Sequence, residues 1–275
     1  MNDNRNNAFS FGEFVWFTAI IEDVNDPEKL GRVKARIFGY HIPDKNELPT
    51  EKLPWAMIAL PISGASTNGI GFTAHGLIKD AHVIGFFVDG KSAQLPMILF
   101  SFPGKTEDGI PDINKLARGE TIKKTMDNAG NWSEKSSGAA PIYPHNKVIE
   151  TTSGHIIEID DTPGKERLHV YHKSGTYTEY HTDGTLVNSI KGTNYHIVIK
   201  DYDIHVHGNC NLNVDGNMVE TIKGNKTSNI SGSYTINCRS YNLKTQTTYN
   251  ANIGSSAMFK ASGQYTQKAA VIFLN

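Results

Sequence analysis

The chain has 275 residues, with 27 Lys and Arg against 28 Asp and Glu and a formal net charge of −1. That balance leaves no basic footprint for nucleic acid or a membrane surface. Apolar content is 38%, low for one compact core of this length and suited to a molecule with much surface. No apolar run of about 18 residues is present, so no spanning helix is expected. The two cysteines, Cys210 and Cys238, form no disulfide framework and fit manufacture in a reducing cytoplasm.

Residues 1–11 read as a polar, disordered leader without the apolar run of a signal peptide. Phe14 to Ile21 is an apolar strand, and Asn25-Asp26-Pro27 turns the chain. From Gly31 to Ile37 the residues alternate, with Val33, Ala35 and Ile37 on one face and Arg32, Lys34 and Arg36 on the other. Pro54 to Ile62 is a third strand, and 63–76 is a Gly/Ser/Thr-rich loop. Val83–Val88 and Met97–Phe102 follow, joined by the Asp89-Gly90 turn. Five short strands without a helix predict a small closed barrel of the oligomer-binding (OB) type over 12–104. Its basic strand face suggests single-stranded nucleic acid. The acidic remainder and the repeat described below favour a polar face or a docking face instead.

Residues 105–141 are rich in Lys, Asp, Gly, Asn and Ser and read as a linker. Its carboxylates, Glu107, Asp108, Asp112, Glu120, Asp127 and Glu134, have no apolar scaffold around them. A glycosidase needs two carboxyl groups at fixed separation, one with its pKa raised by burial. Catalytic residues are therefore not expected, nor is an enzyme.

A second folded part runs from 142 to 275. Ile142-Tyr143-Pro144-His145 opens it, and Asp161-Thr162-Pro163-Gly164 is a turn signature. Leu168–His172 and Thr176–Tyr180 alternate as strands. After these lead-in strands (142–183), an eight-residue repeat fills 184–238. Its glycines are Gly184, Gly192, Gly208, Gly216, Gly224 and Gly232, with Lys200 at the missing place. Within each unit apolar residues alternate, which is strand periodicity. Ile190, Val198, Val206, Val214, Ile222, Ile230 and Cys238 recur at one phase and are assigned inward. The glycines are expected to supply positive φ or close approach at the corners. Lys200 implies either a local bulge or a regular repeat that starts only near Val206.

Eight extended residues reach roughly 26 Å, too little for one chain to circle a filled core. Three chains wound together close the strand edges around a dry interior. The fold class expected is all-β: an OB-fold barrel, then an intertwined triple-stranded β-helix with octapeptide repeats. A single-chain β-solenoid is the alternative. Beyond 238 the register decays into a tip, 239–275, where Gly254 and Gly263 fall out of phase and the end is strongly apolar.

Several segments resemble a known family. Ile21-Glu22-Asp23, Asp26-Pro27, Leu30-Gly31-Arg32-Val33-Lys34-Ala35-Arg36 and Gly39-Tyr40-His41 resemble the OB opening of the central spikes (tail lysozymes) of T-even-type phages. Leu53-Pro54-Trp55-Ala56, Gly69-Ile70-Gly71 and Gly85-Phe86-Phe87-Val88-Asp89-Gly90 follow in that family's order, as does the segment Thr152–Arg167. The VgrG spikes of type VI secretion share the barrel. The resemblance implies a homotrimeric, membrane-piercing needle in a contractile-tail baseplate, assembled in the host cytoplasm. It implies docking of the OB domain to a separate trimeric hub, because the barrel opens close to Met1, and this favours phage over secretion system. A PAAR-type cap at the C-terminal tip and transient passage through the host outer membrane are further implications. The family's inserted lysozyme domain has no room here. A type VI-like spike or a lysozyme with a reduced catalytic unit is the alternative function, and a glycan-binding fibre is a third.

No cofactor or metal is expected. His205-Val206-His207 is the most tempting metal motif, yet with Val206 inward both histidines point outward. His155, His169, His172 and His181 lack close ligand spacing in sequence.

Overall fold

The computed structural model describes residues 14–73, 75–105, 108–122 and 136–272. The expected leader, Glu107, Asp127, Glu134 and the last three residues of the tip lie outside the described residues. The chain divides into two units, Met1–Lys200 and Asp201–Asn275.

In the first unit, β1 (Val15–Asp23), β2 (Val33–Ile37), β3 (Trp55–Ile58), β4 (His82–Phe87) and β5 (Pro96–Ser101) close a barrel in the order β1-β2-β3-β5-β4. β3 and β5 run parallel and the other pairs antiparallel; β4 returns to β1, pairing Val15 with Phe87 and Ile20 with His82. This is the OB barrel expected from the alternation. Its core is one side of that alternation: Phe17, Ala19 and Ile21, then Val33, Ala35 and Ile37, then Ala56, Val83, Phe87 and Ile98. Each large aliphatic side chain so buried contributes about 1.5–3 kcal/mol. Closure is tightest at Gly85, where β4 shifts register against β5. A Cβ there would lie 2.1 Å from the Met97 carbonyl oxygen and 2.8 Å from Phe17 Cζ. Only glycine leaves room for both the strand and the ring.

The first unit also holds a five-stranded meander of β6 (Asn146–Glu150), β7 (Ile156–Asp160), β8 (Arg167–Tyr171), β9 (Tyr177–Tyr180) and β10 (Leu186–Ser189). All its pairs are antiparallel. Tight reversals join the last four strands, and Gly164, Gly175 and Gly184 each take positive φ there. The turn read from Asp161-Thr162-Pro163-Gly164 is made, with Lys165 N–H donating to Thr162 O at 2.8 Å.

Beyond Ser189 the described residues form no strand pair within the chain. The backbone instead bends at 191–192, 199–200, 207–208, 215–216, 223–224 and 231–232, a spacing of eight. Bends continue at 239, 246–247, 254–255 and 262–263. The near-octad rhythm therefore runs on past 238, through Gly254 and Gly263. The bend at 199–200 falls on Lys200, so the missing glycine breaks no register.

Candidate assembly surfaces

The basic side of β2 is not a charged outer face, because residues 38–53 fold across it. Asp26 accepts the N–H groups of Glu28, Leu30 and Arg32 and pairs with the Arg32 guanidinium, Nη2 to Oδ1 at 2.8 Å. Arg32 thereby holds the Asp26 carboxyl well below the usual carboxylate range. Lys34 is buried, donates to Glu51 O at 2.6 Å and lies 5.0 Å from the Trp55 ring centroid. Arg36 is also buried; it pairs in a fork with Glu22 and donates to the carbonyls of Ile42 and Leu48. Burial alone would raise the Glu22 pKa. Arg36, Thr50 Oγ1 at 2.7 Å and Lys45 outweigh it and hold the group at about 2. All three cations are thus engaged within the fold, and the expected open basic face is corrected.

The second sheet is inverted relative to a soluble β-protein. Its apolar side chains Ile157, Ile159, Leu168, Val170 and Tyr180 are exposed in the single chain, while Glu158, Asp160, Arg167, His169 and Glu179 are buried. Buried charges are favoured by pairing; Arg167 pairs with both Glu158 and Glu179, while Asp160 accepts the Thr162 N–H. Arg167 reaches Glu158 at 2.6 Å and Glu179 at 3.0 Å, and His169 Nδ1 stands 3.2 Å from Glu158. Burial pushes the Glu158 carboxyl up, but His169, the Arg167 charge and Asn146 together leave it below its ordinary value. Part of the expected linker supplies the cover. Leu116 is buried, and its carbonyl accepts Asn146 Nδ2 at 3.0 Å. Asn114 Nδ2 donates to Glu150 Oε2 at 2.6 Å.

In the repeat, the apolar row assigned inward is less exposed than most of the apolar residues around it, Ile236 at 46% being comparable. Ile190, Val198, Val206, Val214, Ile222 and Ile230 are 42 to 49% exposed, against 81% for Ile197, 72% for Leu212 and 85% for Val219. Cys238 and Cys210 are free and exposed in the single chain. Of the six repeat glycines, only Gly184 has positive φ. Gly192, Gly208, Gly216, Gly224 and Gly232 bend without it, and a Cβ on any of them would meet nothing within 4 Å in this chain. The expectation that these glycines supply positive φ is corrected, and Lys200 can bend like them for the same reason.

His205 and His207 lie side by side, ring centroids 4.7 Å apart, as alternation puts them on one face. The sheet also brings His155 and His172 to 4.5 Å, a pairing that their distance in sequence concealed. Among the described residues, no group of three or more His, Cys, Asp or Glu could hold a metal ion. Asp108, Asp112 and Glu120 are exposed.

Residues 40–115 match the family model described as the Gp5 N-terminal OB domain. Protein Gp5 of Vibrio phage KVP40 is 32% identical over 266 residues, covering 72% of this chain and 63% of that protein. The pre-baseplate central spike protein Gp5 of Enterobacteria phage T4 is 42% identical over 79 residues, 27% of this chain and 14% of that protein. The chain spans less than two thirds of the length of either relative.

Proposed function

We propose, from the premise that this chain is a relative of the T4-type baseplate central spike proteins, that it is the structural central spike of a contractile phage tail. It resides in the virion, in the tail baseplate, after assembly in the host cytoplasm. Residues 142–275 form the needle: a homotrimer wound into a triple-stranded β-helix, with 239–275 as its tip. Ile190, Val198, Val206, Val214, Ile222, Ile230 and Cys238 face the trimer axis.

One observation carries this reading. From 190 to 272 the backbone bends at a regular spacing of about eight, with an apolar row in phase from 190 to 230, yet it makes no strand pairing within its own chain among the described residues. Unpaired backbone and a periodic apolar row are both costly in water. Winding with two further copies satisfies both at once, and shared backbone hydrogen bonds make the product stiff. The apolar face of β7, β8 and β9 is covered in the same way.

The OB barrel over 12–104 docks to a separate trimeric hub. Sheath contraction drives the needle through the host outer membrane, and a PAAR-type protein caps the tip. The role is mechanical rather than catalytic, without a cofactor and without nucleic acid. In support, the buried carboxylates Glu22 and Glu158 both lie below their ordinary values, the first held there chiefly by Arg36 and the second by His169 with Arg167, the reverse of what a general acid needs.

Sedimentation equilibrium of the full chain tests the assembly. A mass three times 30.3 kDa is expected, and a monomer at micromolar concentration overturns the needle. A peptidoglycan zymogram is expected to stay uncleared; a cleared band overturns the mechanical role.

A further inference from the structure

The side of the octads assigned inward carries one break in its hydrophobic pattern. Alternation puts the residues two and four places before Ile222, and two and four places before Ile230, on the same side as those two. From Tyr202 to Cys238 the residues of that side, between the bends, are hydrophobic except Glu220, Lys226 and Ser228. These three follow one another across the bend at 223–224. Exposure separates the two sides of the alternation. Tyr195, Ile197, Ile199 and Val219 of the other side are 80 to 95% exposed, whereas the large hydrophobic residues of the inward side from Val198 to Ile236 are 42 to 73% exposed. The side chains of Glu220 and Lys226, at 44% and 57%, fall with the inward group. They also meet each other, with Lys226 Nζ 2.5 Å from Glu220 Oε2.

On a free chain a half-exposed ion pair of this kind is worth little. Around a three-chain axis its weight changes. Three carboxylates and three ammonium groups then meet in one layer of an otherwise apolar interior. Charge in a dry interior is costly unless it is paired, and here each chain brings its own pair.

An octad repeat leaves the register of the three chains open. Sliding one chain by eight residues lays Val206 on Val214 and Ile222 on Ile230, so the apolar row fits as well as before. The same slide takes Glu220 to the level of Leu212 or Ser228, and Lys226 to the level of Met218 or Tyr234. Within the trimeric needle proposed above, on which this rests, we infer that Glu220 and Lys226 form an ionic layer whose partners are two further copies of this chain, and that the layer fixes the register in which the three wind. A single buried polar position sets register in coiled coils in the same way, at a cost in stability.

The full chain tests this in a Cys210→Ala/Cys238→Val/Asn213→Cys background, with a nitroxide on residue 213, which alternation puts on the outer side. Sedimentation reads the mass, and pulsed electron–electron resonance between the labels reads the register. The parent is expected to be a trimer with one label-to-label distance, as threefold symmetry requires. Lys226→Met leaves three carboxylates together in the interior. Loss of the trimer, or a fall in its melting temperature of about 10 °C or more, is expected. Glu220→Met/Lys226→Met removes both charges and keeps an unbranched side chain at each place. That variant is expected to stay trimeric and to melt no lower than the parent, but to show additional distances from slipped chains. A Lys226→Met trimer that melts with the parent overturns the inference, because the pair then lies in water. A double variant that keeps the one distance also overturns it, because the register is then set elsewhere. Both results leave the needle standing, whereas a monomeric parent overturns the needle and the layer with it.

Discussion

Arg36 lies side-on to Glu22, Nε 2.7 Å from Oε1 and Nη2 3.0 Å from Oε2, and the same guanidinium donates to the carbonyls of Ile42 and Leu48. One side chain thus ties β2 to β1 and fastens the 38–53 loop over both. Arg36→Ala leaves the Glu22 carboxylate buried with its main partner gone, and the expected cost is about 3–5 kcal/mol. Arg36→Lys is expected to recover only part of it, because an ammonium cannot reproduce the fork. Urea unfolding followed by fluorescence of Trp16 and Trp55 measures both, and a loss below about 1 kcal/mol for Arg36→Ala counts against the role.

Acid is expected to weaken the first unit through Glu22. Its folded value, about 2, lies below the ordinary 4.5, so its contribution is complete above about 4.5 and disappears as pH falls toward 2. Glu158 is lowered too and acts in the same direction on the second sheet. The urea midpoint of the wild type should therefore drop through this interval. Glu22→Gln, less stable at pH 7, should show a flatter acid limb; an unchanged slope in that variant assigns the acid sensitivity elsewhere.

Gly85 should tolerate no side chain. Alanine there places a methyl against the Met97 carbonyl oxygen and the Phe17 ring, and the backbone oxygen cannot rotate away without breaking the β4–β5 ladder. Gly85→Ala is expected to cost about 1–3 kcal/mol or prevent folding. Gly76→Ala, at a position where a Cβ meets nothing within 4 Å and φ is not positive, is expected within about 0.5 kcal/mol of wild type. Equal thermal shifts for the two variants would falsify the packing account.

The barrel was legible because its strands obey one rule: Val33, Ala35 and Ile37 face in, and each neighbouring strand repeats the pattern. The second sheet was legible as strands but not as a surface. Alternation at Ile156–Asp160 reads the same whichever side is buried, and burial fell to the charged side because Arg167 pairs with both Glu158 and Glu179 across three strands. Partners nine and twelve residues apart carry no local signal. The octad glycines marked the bends, but for a reason other than positive φ, which is why Lys200 serves as well. Past 238 the bends fall on Gln246-Thr247, Gly254-Ser255 and Ser262-Gly263, where no single residue type repeats to reveal them.

The phase of the apolar row can be tested against its immediate neighbour. Val214 belongs to the row assigned to the axis of the proposed trimer, and alternation puts Asn213, one residue back, on the other side of the same stretch. Val214→Asp puts a carboxylate from each of three chains into a dry interior, where an unpaired charge costs several kcal/mol and like charges add repulsion. Asn213→Asp adds the same charge in contact with water, where it costs little. The expected outcome is loss of the trimer for Val214→Asp, seen as a fall in sedimentation mass or as aggregation, and an intact trimer for Asn213→Asp. Chains that respond alike would show that the row at 190, 198, 206, 214, 222 and 230 does not face the axis, even if the protein remains trimeric. The two results separate the handed register of the needle from its mere oligomeric state.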